Sequence, residues 1–61
     1  MLPNDPNMLL SLINTKLRDY YDSIEKLCDD LELDQDALEA KLSTIGYYYV
    51  AERHQFLSRE N

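Results

Sequence analysis

His54 and Cys28, the single histidine and the single cysteine, carry the strongest individual chemistry in this sequence. A nucleophile–base pair or a metal site would need them side by side, or His54 among several carboxylates. Cys28 belongs to Ile24, Leu27, Cys28 and Leu31, an i, i+3, i+4, i+7 set that places it on the inner face of a helix. A thiol there is packing rather than nucleophile. His54 stands beside an expected turn. The carboxylates Asp29, Asp30, Glu32, Asp34 and Asp36 invite a calcium-loop reading. That loop needs a glycine at its sixth position and a glutamate at its twelfth, and the only glycine is Gly46. No catalytic residue, metal ligand or cofactor-binding residue is assigned, and no cofactor is expected.

Charge and tyrosines point elsewhere. The net charge is −6, and eight carboxylates lie between Asp22 and Glu39 against the single Lys26. Such a surface repels phosphate backbones and anionic headgroups. Asp29, Asp30, Asp36 and Glu39 are its expected acidic face, either a solvated surface or a docking face for a basic partner. Tyr20, Tyr21, Tyr47, Tyr48 and Tyr49 are five of six aromatics. A small domain cannot easily bury them all, and half-covered tyrosines suit interfaces.

The elements that would position these groups fit one domain spanning 1–61. A chain of this size buries only about 60% of its unfolded surface, which leaves little room for a core and a cleft together. Asp5 and Pro6 form a helix start, and the first helix is expected over about 6–20. Leu9, Leu10, Ile13, Leu17, Tyr20 and Tyr21 share one stripe, with Met8 and Leu12 opposite. Asp22 and Glu25 have capping-box spacing and open a second helix over 23–31. Asp34 caps a third over 35–45, with Leu38, Leu42 and Ile45 inward and Gly46 as its stop. Leu33 and Leu38 can form a hydrophobic staple. Tyr47–Val50 and Gln55–Leu57 then read as a hairpin over 47–57 around a turn of Ala51, Glu52, Arg53 and His54. Ser58 to Asn61 should fray. The fold class is mainly α (α+β), three short helices plus a C-terminal β-hairpin.

The spacing from Ile24 to Gly46 resembles a helix-turn-helix, and the hairpin sits where a winged helix carries its wing. Glu32 replaces the usual turn glycine, which predicts a different turn geometry. The outward face of the third helix carries Asp36, Glu39, Ala40 and Ser43, whereas base and phosphate contacts need Arg, Lys, Asn or Gln. Arg53, Lys16 and Arg18 are a thin basic supply.

Taken whole, the chain resembles a small bacterial family, domain of unknown function 4250. The resemblance rests on Leu2-Pro3, Asp5-Pro6, Met8-Leu9-Leu10-Ser11, Asn14, Lys16-Leu17-Arg18-Asp19, Leu27-Cys28, Lys41-Leu42, Ile45-Gly46-Tyr47 and Gln55-Phe56. It departs from the family pattern at Val50 and His54, where an Asp and an Asn are expected. The resemblance implies a bacterial cytoplasmic protein and brings no activity.

The reading is therefore a non-enzymatic, acidic, cytoplasmic protein-interaction module. Its alternative is a degenerate winged-helix-like nucleic-acid-binding protein. The protein partner is not named by the sequence, and no membrane association is expected: Met8–Ile13 is too short to span and no basic leader precedes it. Met8, Leu12, Tyr47, Tyr48 and Tyr49 are the candidate interface, on which a homodimer would form.

Overall fold

The computed structural model describes residues 2–58. Asp5 sits in extended backbone and its carboxylate accepts from the Asn7 N–H at 2.9 Å, so α1 starts at Pro6 and runs over Pro6–Asp19. α2 spans Ile24–Leu31 and α3 Gln35–Ser43, followed by β1, Tyr47–Val50, and β2, Gln55–Ser58. No described helix is long and apolar enough to cross a membrane.

The strands pair antiparallel, with Tyr47 opposite Ser58, Tyr48 opposite Leu57, Tyr49 opposite Phe56 and Val50 opposite Gln55. The expected hairpin forms, and Ser58 closes its ladder instead of fraying; residues 59–61 lie outside the described residues. Leu9, Ile13 and Leu17 of α1, Ile24, Leu27 and Cys28 of α2, Leu38 and Leu42 of α3, and Phe56 of β2 make up the core. Phe56 is fully buried, the largest such side chain. Across the ladder Tyr49 meets it with ring centroids 5.5 Å apart, in a tilted aromatic pair.

Four local expectations are corrected. Ser23, not Asp22, caps α2: its hydroxyl accepts from the Lys26 N–H at 3.2 Å, while Asp22 forms an exposed ion pair with Lys26. The helix thus starts at Ile24, whose side chain is buried. Tyr20 leaves the stripe, since α1 ends at Asp19 and Tyr20 takes a non-helical φ of −126°. It is 73% exposed, with the Lys16 ammonium 5.6 Å from its ring centroid. α3 stops at Ser43 rather than 45, because i→i+3 bonds at Thr44, Ile45 and Gly46 tighten the chain before Gly46 turns at φ 82°. Ile45 is left half-buried in that turn.

The fourth correction concerns the α2–α3 turn. Glu32 adopts the left-handed conformation at φ 57° and ψ 47° that a glycine would take, so the turn keeps the geometry the substitution was expected to change. The Leu33 N–H reaches back to the Cys28 carbonyl at 2.8 Å, which closes a Schellman-type end. A Cβ in this region costs about 1 kcal/mol. We expect Glu32→Gly to stabilise the fold by about 0.5–1 kcal/mol, also thinning the acidic stretch. Urea unfolding would check this, and a loss of stability would show that Glu32 has a compensating contact.

Candidate interaction surfaces

Cys28 is 4% exposed, and burial first, then the charges of Glu39, Glu25 and Asp34, push its thiol above the ordinary value. His54 lies on the hairpin turn at φ 54°, exposed, in a shallow depression with Arg18, Tyr21, Asp22 and Gln55. The two residues sit on different elements. His54 also takes the left-handed backbone that Asn tolerates best. Cys28→Ala is expected to cost about 1 kcal/mol of stability, as for a small buried side chain made smaller. Labelling of the native protein by a thiol reagent should be slow, and fast labelling of folded protein would contradict the packing role.

The acids do not converge. Among the described residues no cluster of three or more His, Cys, Asp or Glu could hold a metal ion. Asp34 is spent on its own helix, accepting from the Asp36 N–H at 3.0 Å. Asp30 accepts a short hydrogen bond from the Tyr21 hydroxyl, which raises the Tyr21 pKa. Asp29, Asp30 and Asp36 are exposed as expected. Glu39 leaves that face: it is half-buried, accepts from Gln35 Nε2 at 2.8 Å, and acts electrostatically on Cys28 and Tyr49. The ion pairs among the described residues, Arg18–Asp19 and Lys26–Asp22, leave Asp29 to Glu39 without a cation.

The candidate interface divides in two. Tyr47 and Tyr49 pack against the core, and burial raises the Tyr49 pKa while a bond with the Ile24 backbone opposes it. Tyr48 points the other way, 37% exposed beside Leu57 at 36%. Met8 is 62% exposed and joins Pro3, Ser11, Leu12 and Thr15 in one furrow. Leu12 also lines a second, with Leu2, Lys16, Leu31 and Leu33. Together these furrows form an apolar strip between α1 and the α2–α3 turn.

Asn14 explains the division. Its side-chain amide donates to the Phe56 carbonyl at 3.0 Å and accepts from the Phe56 N–H at 2.8 Å, while Gln55 Nε2 donates to its backbone carbonyl at 3.1 Å. One side chain thus satisfies both backbone groups that Phe56 turns to the outer edge of β2. Asn14 and Leu12 are about 160° apart around the helix. The hairpin therefore docks on one flank of α1 and the strip lies on the other. Among the described residues, Met8 and Leu12 do not join the tyrosines in one patch, and the hairpin does not fold over them. Periodicity passed over Asn14 because a polar residue beside an apolar stripe reads as its solvated border; a mediocre helix former in mid-helix was the available signal.

Comparison with curated proteins finds no match, and neither does comparison with solved structures. The family model described as Domain of unknown function (DUF4250) matches residues 3–56, from the start of the strip to the Phe56 that Asn14 holds, so the chain belongs to that family.

Proposed function

We propose that this protein is a non-enzymatic protein-interaction module of the bacterial cytoplasm that docks a basic, apolar-faced protein segment. The observation that carries the reading is the apolar strip of Met8, Leu12, Leu31 and Leu33, whose one charged lining residue is Lys16, together with the exposed Glu32 between Leu31 and Leu33, which no ion pair among the described residues reaches. A partner segment with leucines on one face and lysines on the other would cover the first and neutralise the second. The separation of Cys28 from His54 supports a binding role over nucleophilic chemistry.

The test is titration of isotope-labelled protein with an amphipathic lysine–leucine peptide, followed by amide shifts. Shifts should centre on Leu12, Leu31 and Leu33, weaken with salt, and fall about tenfold in affinity in Leu12→Glu, as expected for one buried leucine contact. Absence of shifts at millimolar peptide sinks the reading. Duplex DNA is expected not to bind at physiological salt, because α3 presents Asp36 outward and no ion pair among the described residues neutralises it. A gel shift at micromolar protein with a steep salt slope would restore the winged-helix alternative.

A further inference from the structure

In an antiparallel ladder a residue turns both backbone groups to the same side, and its directly opposite partner turns both the other way when the pair exchanges no bonds. Phe56 turns both of its groups to Asn14, away from β1. Tyr49, opposite Phe56, therefore turns its N–H and C=O outward, and so does Tyr47 two residues earlier. Among the described residues, no hydrogen bond from another backbone group outside the ladder reaches either. The outer edge of β1 thus presents two donors and two acceptors, spaced around Tyr48. The strand bearing them, Tyr-Tyr-Tyr-Val, contains no charge and no proline, the usual devices that keep an edge from pairing.

We propose that β1 is a self-pairing edge, through which two copies of this chain join antiparallel with Tyr48 facing the partner's Tyr48 on the two-fold axis. In this register the N–H of Tyr47 donates to the C=O of the partner's Tyr49, and the N–H of Tyr49 to the C=O of the partner's Tyr47. Symmetry repeats both bonds, so every outward group is used. The Tyr48 pair falls at the closely spaced position of the ladder, where side chains approach most. Leu57 lies in register behind each Tyr48, so the two exposed apolar side chains of the hairpin's outer face merge into one row across four strands. Asn14 already occupies the edge of β2, so pairing stops at two copies. A strand of four residues makes a small interface, and the −6 charge of each copy opposes approach. Pairing is therefore weak and strengthened by salt. It goes beyond the docking reading and uses a different surface, so either can fail alone.

Sedimentation equilibrium from about 10 µM to about 2 mM covers the range in which so small an interface is populated. The mass should rise from 7.2 kDa towards twice that value. Amide exchange over the same series should slow about tenfold at Tyr49 while the Tyr48 amide, already in the ladder with Leu57, changes little. Tyr48→Lys, which sets two ammonium groups against each other on the axis, should return the protein to monomer. A single-copy mass at every concentration overturns the proposal. So does a dimer whose Tyr49 exchange is independent of concentration, or one that Leu12→Glu dissolves and Tyr48→Lys does not.

Discussion

Phe56→Ala should remove most of the stability of this domain. A chain of 61 residues is stabilised by about 3–9 kcal/mol, from roughly 0.05–0.15 kcal/mol per residue. Deleting a buried phenylalanine costs about 3–5 kcal/mol through lost transfer energy and the cavity left behind. Phe56 has no exposed surface and belongs to the same core as Leu9, Ile13 and Leu17 of α1, Ile24 and Leu27 of α2, and Leu42 of α3. The hole would lie where three helices meet, and Tyr49 would lose the ring it packs against. The melting midpoint should fall by roughly 20 °C or more, given about 4–8 °C per kcal/mol in a domain of this size. Leu57→Ala is the control, since its side chain is partly exposed on the opposite face of the strand and should cost under about 1 kcal/mol. Similar losses in the two variants would mean that the hairpin is not seated on the helices as described.

Asn14→Ala should cost about 2 kcal/mol. The substitution strands the Phe56 N–H and C=O in a part-buried site, and each unsatisfied buried group costs about 1–3 kcal/mol. Partial access of water trims that figure, and the better helix propensity of alanine returns about 0.5 kcal/mol. Asn14→Asp keeps the acceptor for the Phe56 N–H but loses the donor and sets a carboxylate against the Phe56 carbonyl. At neutral pH it should be destabilised at least as much as Asn14→Ala. It should recover as the pH falls and the protonated carboxyl becomes a donor again. Asn14→Ala combined with Phe56→Ala should cost less than the two single changes together, because the amide acts through the residue that the second change empties. Full additivity in denaturant unfolding would separate the latch from the core.

What the sequence made legible was local. Asp5-Pro6 and Asp34 announce helix starts through chemistry that acts within three residues, and both cap as read. The hairpin followed from the change of period after Gly46, and its strands pair in the register that the four-residue turn implies. Errors fell where two local solutions compete. Asp22 and Ser23 can each cap α2, and burial of Ile24 selects the serine. Tyr20 fits the stripe by spacing, yet α1 ends one residue before it. Glu32 was read by its side chain, whereas the turn dictates its backbone. The division of the candidate interface was not legible at all, because it depends on Asn14 meeting a strand 42 residues away. No periodicity reports such a meeting. Sequence puts Met8 and Leu12 opposite the stripe but leaves open which tyrosine faces outward, and only the tertiary arrangement shows Tyr48 exposed on a different flank from Met8 and Leu12.

The separation of 42 positions between Asn14 and Phe56 also bears on how the molecule reaches its fold. Helices and hairpin turn can form from near neighbours in about a microsecond. Each alone lacks the Phe56 ring that fills the common core, and that ring arrives only when the far end of the chain closes on α1. A three-helix intermediate would hold an open cavity and gain little from persisting. Folding should therefore be a single exponential process with no populated halfway state, its barrier set by the entropy of closing that loop. Mutations in the latch should then slow folding more than they speed unfolding, because the contact that closes the loop forms at the summit of the barrier.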